Sequence, residues 1–97
     1  MRLQDKIAVI TGAAQGIGLG IAQRFAAEGA QVMMLDVNED VGLRAAADIS
    51  DAQFFCTDVS DKTAVDHTVD EIMTNSGRID RCVTNAGVLR SGDVLEL

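Results

Sequence analysis

The chain has 97 residues, 47% of them hydrophobic and 24% charged, with a formal net charge of −7 and a mean hydropathy of +0.15. This size and composition indicate at most one small globular domain rather than a disordered chain. The eight basic residues are scattered among fifteen acidic ones, so neither nucleic acid nor an anionic membrane is an expected partner.

The cysteine content and the apolar segments indicate the cellular compartment in which the protein is expected. Cys56 and Cys82 form no CxxC pair, which is typical of a reducing compartment, and we expect both thiols to be buried in strands. No apolar run resembles a secretory leader or approaches the roughly 18 residues of a membrane span, so we expect a cytoplasmic protein. His67 is the only histidine, and no residues show metal-ligand spacing.

The glycine turn is the first informative segment. Residues 6–11 predict a buried strand, and TGAAQGIG at 11–18 follows it directly and opens a helix predicted over 17–28. Glycines in such a turn let backbone N–H groups approach a phosphate at the positive end of the helix dipole. An ordinary turn is the alternative, and a Walker A loop is excluded because no Gly-Lys-Ser/Thr follows. The glycines concerned are Gly12, Gly16 and Gly18.

Asp36 ends a second buried strand, predicted over 31–36, and lies 18 residues after Gly18 (36 − 18). An acidic residue at about this spacing is placed to bind the ribose hydroxyls of adenosine. Its charge would repel a 2′-phosphate by about 4 kcal/mol at ~4 Å in an effective dielectric of about 20, which favours NAD over NADP. The alternative is a surface aspartate that caps the next turn.

The rest of the chain continues the alternation of helix and strand. Asn38 is placed to cap a short helix in which Gly42 is unfavourable, and residues 53–57 predict the third strand. Ser60 is predicted to cap the third helix, which Gly77 ends, and residues 79–84 predict a fourth strand. Such alternation predicts a parallel sheet with helices on both faces.

Two further segments follow strands three and four. Asp58-Val59 lies where open α/β sheets bind ligands and could contact an adenine ring, but a local turn serving the third helix is an equally good interpretation. Asn85-Ala86-Gly87 follows the fourth strand, where small residues would let the backbone pass close to a cofactor. Taken alone, this segment is better read as a plain turn.

Together these motifs resemble the N-terminal part of the short-chain dehydrogenase/reductase family. The family's Thr-Gly-x-x-x-Gly-hydrophobic-Gly motif matches residues 11–18, its adenine-contact motif matches 58–59, and its strand-four motif matches 77–88 with departures. The resemblance implies a Rossmann-type three-layer α/β/α half-domain over residues 1–97, with four parallel strands in the order 3-2-1-4. It implies that the N–H of Ile17 contacts the pyrophosphate and that residues 85–87 line the ribose.

The candidate cofactor-binding residues are therefore Gly12, Gln15, Gly16, Ile17, Gly18, Asp36, Val37, Asp58, Val59, Asn85, Ala86 and Gly87. The implied cofactor is NAD, and the implied activity is oxidation of an alcohol or the reverse reduction of a carbonyl. A dimer or tetramer is implied for the full-length parent. We expect the fourth strand to form an edge of the sheet.

The family's catalytic Ser, Tyr and Lys follow the fourth and fifth strands, and this chain contains no tyrosine. We therefore expect no catalytic residue among these 97 and no dehydrogenase activity from the chain alone. Three interpretations stay open: a piece of a dehydrogenase, a stand-alone nucleotide-binding module, and an inactive truncated product.

Overall fold

The computed structural model describes residues 3–84 and the backbone of residues 95–96. Strands and helices alternate through residue 83. In chain order the elements are β1 (Ile7–Thr11), α1 (Gly16–Ala27), β2 (Gln31–Asp36), α2 (Glu39–Ala47), β3 (Ala52–Cys56), α3 (Lys62–Ser76), β4 (Arg81–Val83) and β5 (Leu95–Glu96). No helix in this described part of the chain is long and apolar enough to cross a bilayer.

The strands form one sheet in the order β3-β2-β1-β4-β5. The first four are parallel and have the predicted order 3-2-1-4, which confirms the predicted α/β architecture. The prediction that β4 lies at the sheet edge was wrong, because β5 pairs with it in the antiparallel direction. A two-residue strand has too few residues for hydrophobic periodicity to indicate it.

Alternating side chains of the central strands pack on opposite faces of the sheet. Ile10, Val32 and Met34 belong to a core that includes residues of α1 and α2. Met33 and Leu35 belong to a second core, which includes Ile72 of α3. Because both faces of β1 and β2 are covered, residues 7–10 and 32–35 are all apolar and buried, as is typical of the centre of a parallel sheet.

The helix ends follow the predicted signals except at the start of α3. Asn38 caps α2 by accepting from the N–H of Val41 at 3.3 Å, and Gly77 ends α3 in the left-handed conformation. Ser60 was predicted to cap α3 but does not, because it lies one residue before the cap position, inside a turn that the Asp61 N–H closes by donating to the Asp58 carbonyl at 3.0 Å. Asp61 caps the helix instead, since its carboxylate accepts from the first free N–H groups of α3.

Asp80 fixes the start of β4 against the start of β1. Its Oδ2 accepts from the N–H of Ile7 at 2.9 Å, and its own N–H donates to the Ile7 carbonyl at 2.8 Å. Arg78 donates to the same carboxylate at 2.9 Å and also to the carbonyl of Asp5. The carboxylate takes the place of a strand carbonyl here, so ladder pairing begins at Arg81, later than the predicted start of the strand at residue 79.

The pKa of Asp80 is lowered chiefly by its hydrogen bond from the Ile7 N–H, with Arg78 and Lys6 adding to the effect and burial opposing it. A carboxyl whose pKa is lower in the folded state stabilises the fold above the unfolded pKa of about 3.9. That stabilisation is lost as the pH falls through the folded pKa.

Gly42 allows α2 to lie close to the sheet. A Cβ added there would come within 2.1 Å of the Phe54 ring of β3, and two further ring atoms lie within 2.5 Å of it. Glycine is disfavoured inside a helix, by about 1 kcal/mol relative to alanine, so its presence in α2 reflects packing.

Gly42→Ala should lower the free energy of unfolding by about 1–3 kcal/mol, because overpacking exceeds the gain in helix propensity. Gly20→Ala in α1 is the matched control, since its added Cβ meets nothing within 4 Å. We expect Gly20→Ala to raise stability by about 0.5–1 kcal/mol. Urea denaturation followed by circular dichroism measures both changes. Equal stabilisation by the two substitutions would contradict the packing argument.

Asp80→Asn should lower the free energy of unfolding near neutral pH; this loss should shrink as the pH falls below about 4 and vanish below the lowered folded pKa of Asp80, where the aspartate is protonated in wild type as well. Asparagine keeps an oxygen for the Ile7 N–H, so the comparison isolates the charge. Urea midpoints measured between about pH 2 and pH 7 test this. A difference that stays constant over this range would show that the charge of Asp80 does not stabilise the fold.

Candidate functional site

Parallel pairing places three predicted segments at one edge of the sheet. Thr11 pairs with Leu35, and Asp36 pairs with Cys56, so β1, β2 and β3 end side by side. The glycine turn, the start of α2 and the loop before α3 all leave the sheet at this carboxyl edge. This is the edge at which open α/β sheets bind their ligands.

The glycine turn has the backbone geometry that its sequence predicts. Gly12 and Gly16 have φ angles of 60° and 65°, which lie in the left-handed region that favours glycine. A Cβ added at Gly16 would meet nothing within 4 Å, so its conformation rather than crowding calls for glycine. Gly18 is buried in the first turn of α1.

The start of α1 offers backbone donors to an anion. Gln15 is the N-cap residue, but its backbone is extended and its side chain makes no capping hydrogen bond. The first turn carries no acidic side chain, and Ile17 is 74% exposed. Because the first N–H groups of a helix have no acceptor within it, this terminus has the polarity and the donors that stabilise a phosphate.

Asp36 joins the glycine turn to the start of α2. Its Oδ2 accepts from the N–H of Ala14 at 3.0 Å, and its Oδ1 accepts from the N–H of Asn38 at 3.2 Å. The residue is half-buried. A carboxylate has about four lone-pair sites, so two remain for other donors such as ribose hydroxyls. The structure thus contains the local turn contact that the sequence left as an alternative, and the carboxylate keeps acceptor capacity for further donors.

Asp58 is exposed and takes part in a local turn. Its Oδ1 accepts from both the N–H and the hydroxyl of Ser60, at 2.9 and 2.6 Å, and these bonds lower the pKa of Asp58. Val59, which follows it, is half-buried. The turn role of Asp58 is therefore present in the structure, and a role toward adenine remains a prediction.

Thr57 anchors the loop after β3 on both sides, a role that the sequence did not indicate. Its N–H donates to the carbonyl of Asp36 at 2.9 Å, and its hydroxyl shares a hydrogen bond of 2.8 Å with the Thr68 hydroxyl. Both threonines are buried. The burial of Thr68 could have been predicted, because Thr68 lies on the same helical face as the apolar Val65 and Ile72 of α3.

Cys56 departs from its predicted burial. It is exposed because β3 is the outer strand of the sheet, whereas Cys82 is half-buried on β4. The Cys56 thiol lies 3.7 Å from the carbonyl oxygen of Val37, whose own side chain is 62% exposed. Val37 and Cys56 thus form an accessible rim between the ends of β2 and β3.

The remaining predicted residues, Asn85, Ala86 and Gly87, lie outside the described part of the chain. Residues 3–84 contain no group of three or more metal-ligating side chains. An open cleft of about 540 Å³ lies between the end of α1 and the end of α2, near the amino ends of the strands and so at the opposite edge of the sheet from the glycine turn. None of the predicted site residues lines it.

Comparisons with known proteins agree with this geometry. Residues 6–97 match the family described as short chain dehydrogenase. The chain is 41% identical over 98 residues to meso-2,3-butanediol dehydrogenase of Serratia marcescens, covering 99% of the chain and 39% of that protein. It is 45% identical over 89 residues to galactitol 2-dehydrogenase of Agrobacterium fabrum, covering 91% of the chain and 35% of that protein.

A reductase is also similar. The chain is 38% identical over 100 residues to the 3-oxoacyl-[acyl-carrier-protein] reductase FabG of Chlamydia muridarum, covering 98% of the chain and 40% of that protein. The chain therefore spans about two fifths of the length of these curated relatives.

Thr68→Val should lower the free energy of unfolding by about 1–3 kcal/mol, because it leaves the buried Thr57 hydroxyl without its partner. The double variant Thr57→Val/Thr68→Val should lose less than the sum of the two single variants, since it leaves no orphaned hydroxyl. Urea denaturation of the four proteins in this cycle measures the coupling. Strictly additive losses would show that the threonine pair does not anchor the loop.

Proposed function

The chain belongs to the short-chain dehydrogenase family, and on that premise we propose that its carboxyl-edge site binds the adenosine and pyrophosphate of NAD. The family uses NAD or NADP. The observation that carries the proposal is the Asp36 carboxylate, placed 3.0 Å from the N–H of Ala14 inside the glycine turn. This bond supports the proposal because the carboxylate proposed to accept from the ribose lies beside the turn proposed to bind the phosphates.

Each part of the cofactor has a candidate partner in this chain. The N–H groups at the start of α1, including that of Ile17, would receive the pyrophosphate. The free lone pairs of Asp36 would receive the adenosine ribose hydroxyls. Val37 and Val59 would contact the adenine ring, and Asp58 would accept from its amino group. Asn85, Ala86 and Gly87 are proposed to line the ribose.

The proposed preference for NAD follows from charge. A 2′-phosphate on the ribose would come close to the Asp36 carboxylate, and the turn residues Ala13, Ala14 and Gln15 offer no cation to neutralise it. Two like charges at ~4 Å repel by about 4 kcal/mol at an effective dielectric of about 20. A difference in binding free energy of only a third of that repulsion corresponds to about a tenfold preference for NAD over NADP.

For the whole protein we propose NAD-dependent oxidation of a secondary alcohol, or the reverse reduction of a carbonyl. Two of the similar proteins are named as dehydrogenases of polyhydroxy compounds and one as a ketoacyl reductase, which supports a hydroxyl or carbonyl substrate. The nicotinamide of bound NAD would accept the hydride. These 97 residues include no tyrosine, so we assign them cofactor binding and not the proton-transfer step.

Titration calorimetry of the 97-residue chain with NAD and with NADP tests the cofactor proposal. We expect NAD to bind at least about tenfold more tightly, and Asp36→Asn to narrow that ratio because it removes the charge. Asp70→Asn, on the exposed surface of α3, is the matched control and should leave the ratio unchanged. Equal binding of NAD and NADP by wild type would refute the preference, and no binding of either would refute the site.

Activity and mass distinguish the wider interpretations. A source protein well over twice as long as this chain would support a dehydrogenase whose remaining residues perform the chemistry. A source protein of this mass that binds NAD would support a stand-alone nucleotide-binding module. NADH formation from a secondary alcohol by the purified 97-residue chain would contradict our assignment of the proton-transfer step to other residues.

A further inference from the structure

The glycine turn needs a constraint that its own sequence does not supply. Gly12 and Gly16 both have positive φ and lie two residues on either side of Ala14. Glycines lose more conformational freedom on ordering than other residues, so a turn with two of them is costly to hold in one shape. A phosphate site built from backbone N–H groups depends on that one shape.

The structure supplies the constraint at the middle of the turn. The N–H of Ala14 donates to Asp36 Oδ2 at 3.0 Å in a part-buried hydrogen bond, and Ala14 itself is 1% exposed. The neighbouring N–H of Ala13 makes a longer bond, of 3.4 Å, to the carbonyl of Leu35. The turn is therefore folded back onto the end of β2, and its shortest link to β2 is to a carboxylate.

Asp36 also holds the two other loops at this edge. Its second carboxylate oxygen accepts from Asn38 at 3.2 Å, and its backbone carbonyl accepts from Thr57 at 2.9 Å. Hydrogen bonds to a charged acceptor are stronger than those between neutral groups. One residue thus connects the glycine turn, the start of α2 and the loop after β3.

We infer that Asp36 is a positioning residue as well as a ribose ligand: through the Ala14 N–H it holds the glycine turn in the conformation that receives the pyrophosphate. The inference rests on the proposed function and adds a consequence to it. If Asp36 acted only through ribose and charge, removing it would harm only ligands that have ribose hydroxyls. If it positions the turn, its removal weakens binding of the diphosphate itself.

The test uses a probe that has no ribose hydroxyls. 2′,3′-Dideoxyadenosine 5′-diphosphate can reach the glycine turn but offers Asp36 no hydroxyl, and ADP is the matched probe that does. Calorimetry compares both probes with wild type, Asp36→Ala, Asp36→Asn and the control Asp70→Ala. The asparagine side chain has one acceptor oxygen. We expect this oxygen to accept from the Ala14 N–H, because the Asn38 N–H is exposed and can bond to water instead.

We expect Asp36→Ala to weaken binding of the dideoxy probe by about threefold to tenfold, although it removes a charge that repels the diphosphate. Asp36→Asn should bind this probe as well as wild type or better, since it keeps the link to Ala14 and loses the repulsion. Asp70→Ala should match wild type. Unchanged or tighter binding of the dideoxy probe by Asp36→Ala would overturn the inference.

Amide hydrogen exchange without any nucleotide provides a second readout. In wild type the Ala14 amide should exchange at least about tenfold more slowly than an unprotected amide, and Asp36→Ala should abolish that protection while Asp36→Asn keeps it. The Val9 amide in β1 should stay protected in every variant, which shows that the sheet is folded. Ala14 exchange at the unprotected rate in wild type would overturn the inference even if Asp36→Ala did not fold.

The two proposals fail in different ways. If wild type bound neither ADP nor NAD, the proposed function would fail, and Ala14 exchange would still decide whether Asp36 holds the turn. If wild type bound both and Asp36→Ala bound the dideoxy probe equally well, the positioning role would fail and the cofactor site would stand.

Discussion

Parallel pairing of β1 with β2, from Ile7 opposite Gln31 to Thr11 opposite Leu35, determines where every other feature lies. A parallel ladder brings the carboxyl ends of its strands to one edge, so loops far apart in sequence become neighbours. It also requires crossover helices, which here cover both faces of the central strands. The glycine turn and Asp36, 22 residues from Ala14 along the chain, meet because of this register.

Much of this arrangement could be predicted from the sequence because the signals are local and repeated. Apolar runs followed by turn residues indicated β1 and β2 almost to the residue, since strands buried on both faces tolerate little else. Asn38 and Gly77 were recognisable as helix ends because their side-chain and backbone chemistry is specific to those positions. The alternation of elements predicted a parallel sheet, and the order 3-2-1-4 followed from the resemblance to a known family.

What the sequence did not reveal depends on contacts between distant residues. Ser60 and Asp61 are both good helix caps, and the turn that Asp61 closes on the Asp58 carbonyl places Asp61, not Ser60, directly before α3. Gly42 is unfavourable for an isolated helix, and only its contact with the Phe54 ring explains why glycine stands there. Cys56 was expected to be buried because it lies in a strand, but exposure depends on which strand is outermost, and that is a property of the sheet.

An aspartate side chain accepts a hydrogen bond from the backbone near each end of β1: Asp80 near its start and Asp36 just after its end. Asp80 accepts from the N–H of Ile7, the first residue of the strand, and Asp36 accepts from the N–H of Ala14 in the glycine turn that follows it. The four residue steps of β1 from Ile7 to Thr11 alone span about 13 Å at about 3.3 Å per residue, so the two hydrogen bonds are too distant to influence one another directly. Substitutions at the carboxyl end of β1, where we propose that the cofactor binds, can therefore accumulate while Asp80 still holds the start of the strand, so the scaffold and the proposed specificity can diverge separately.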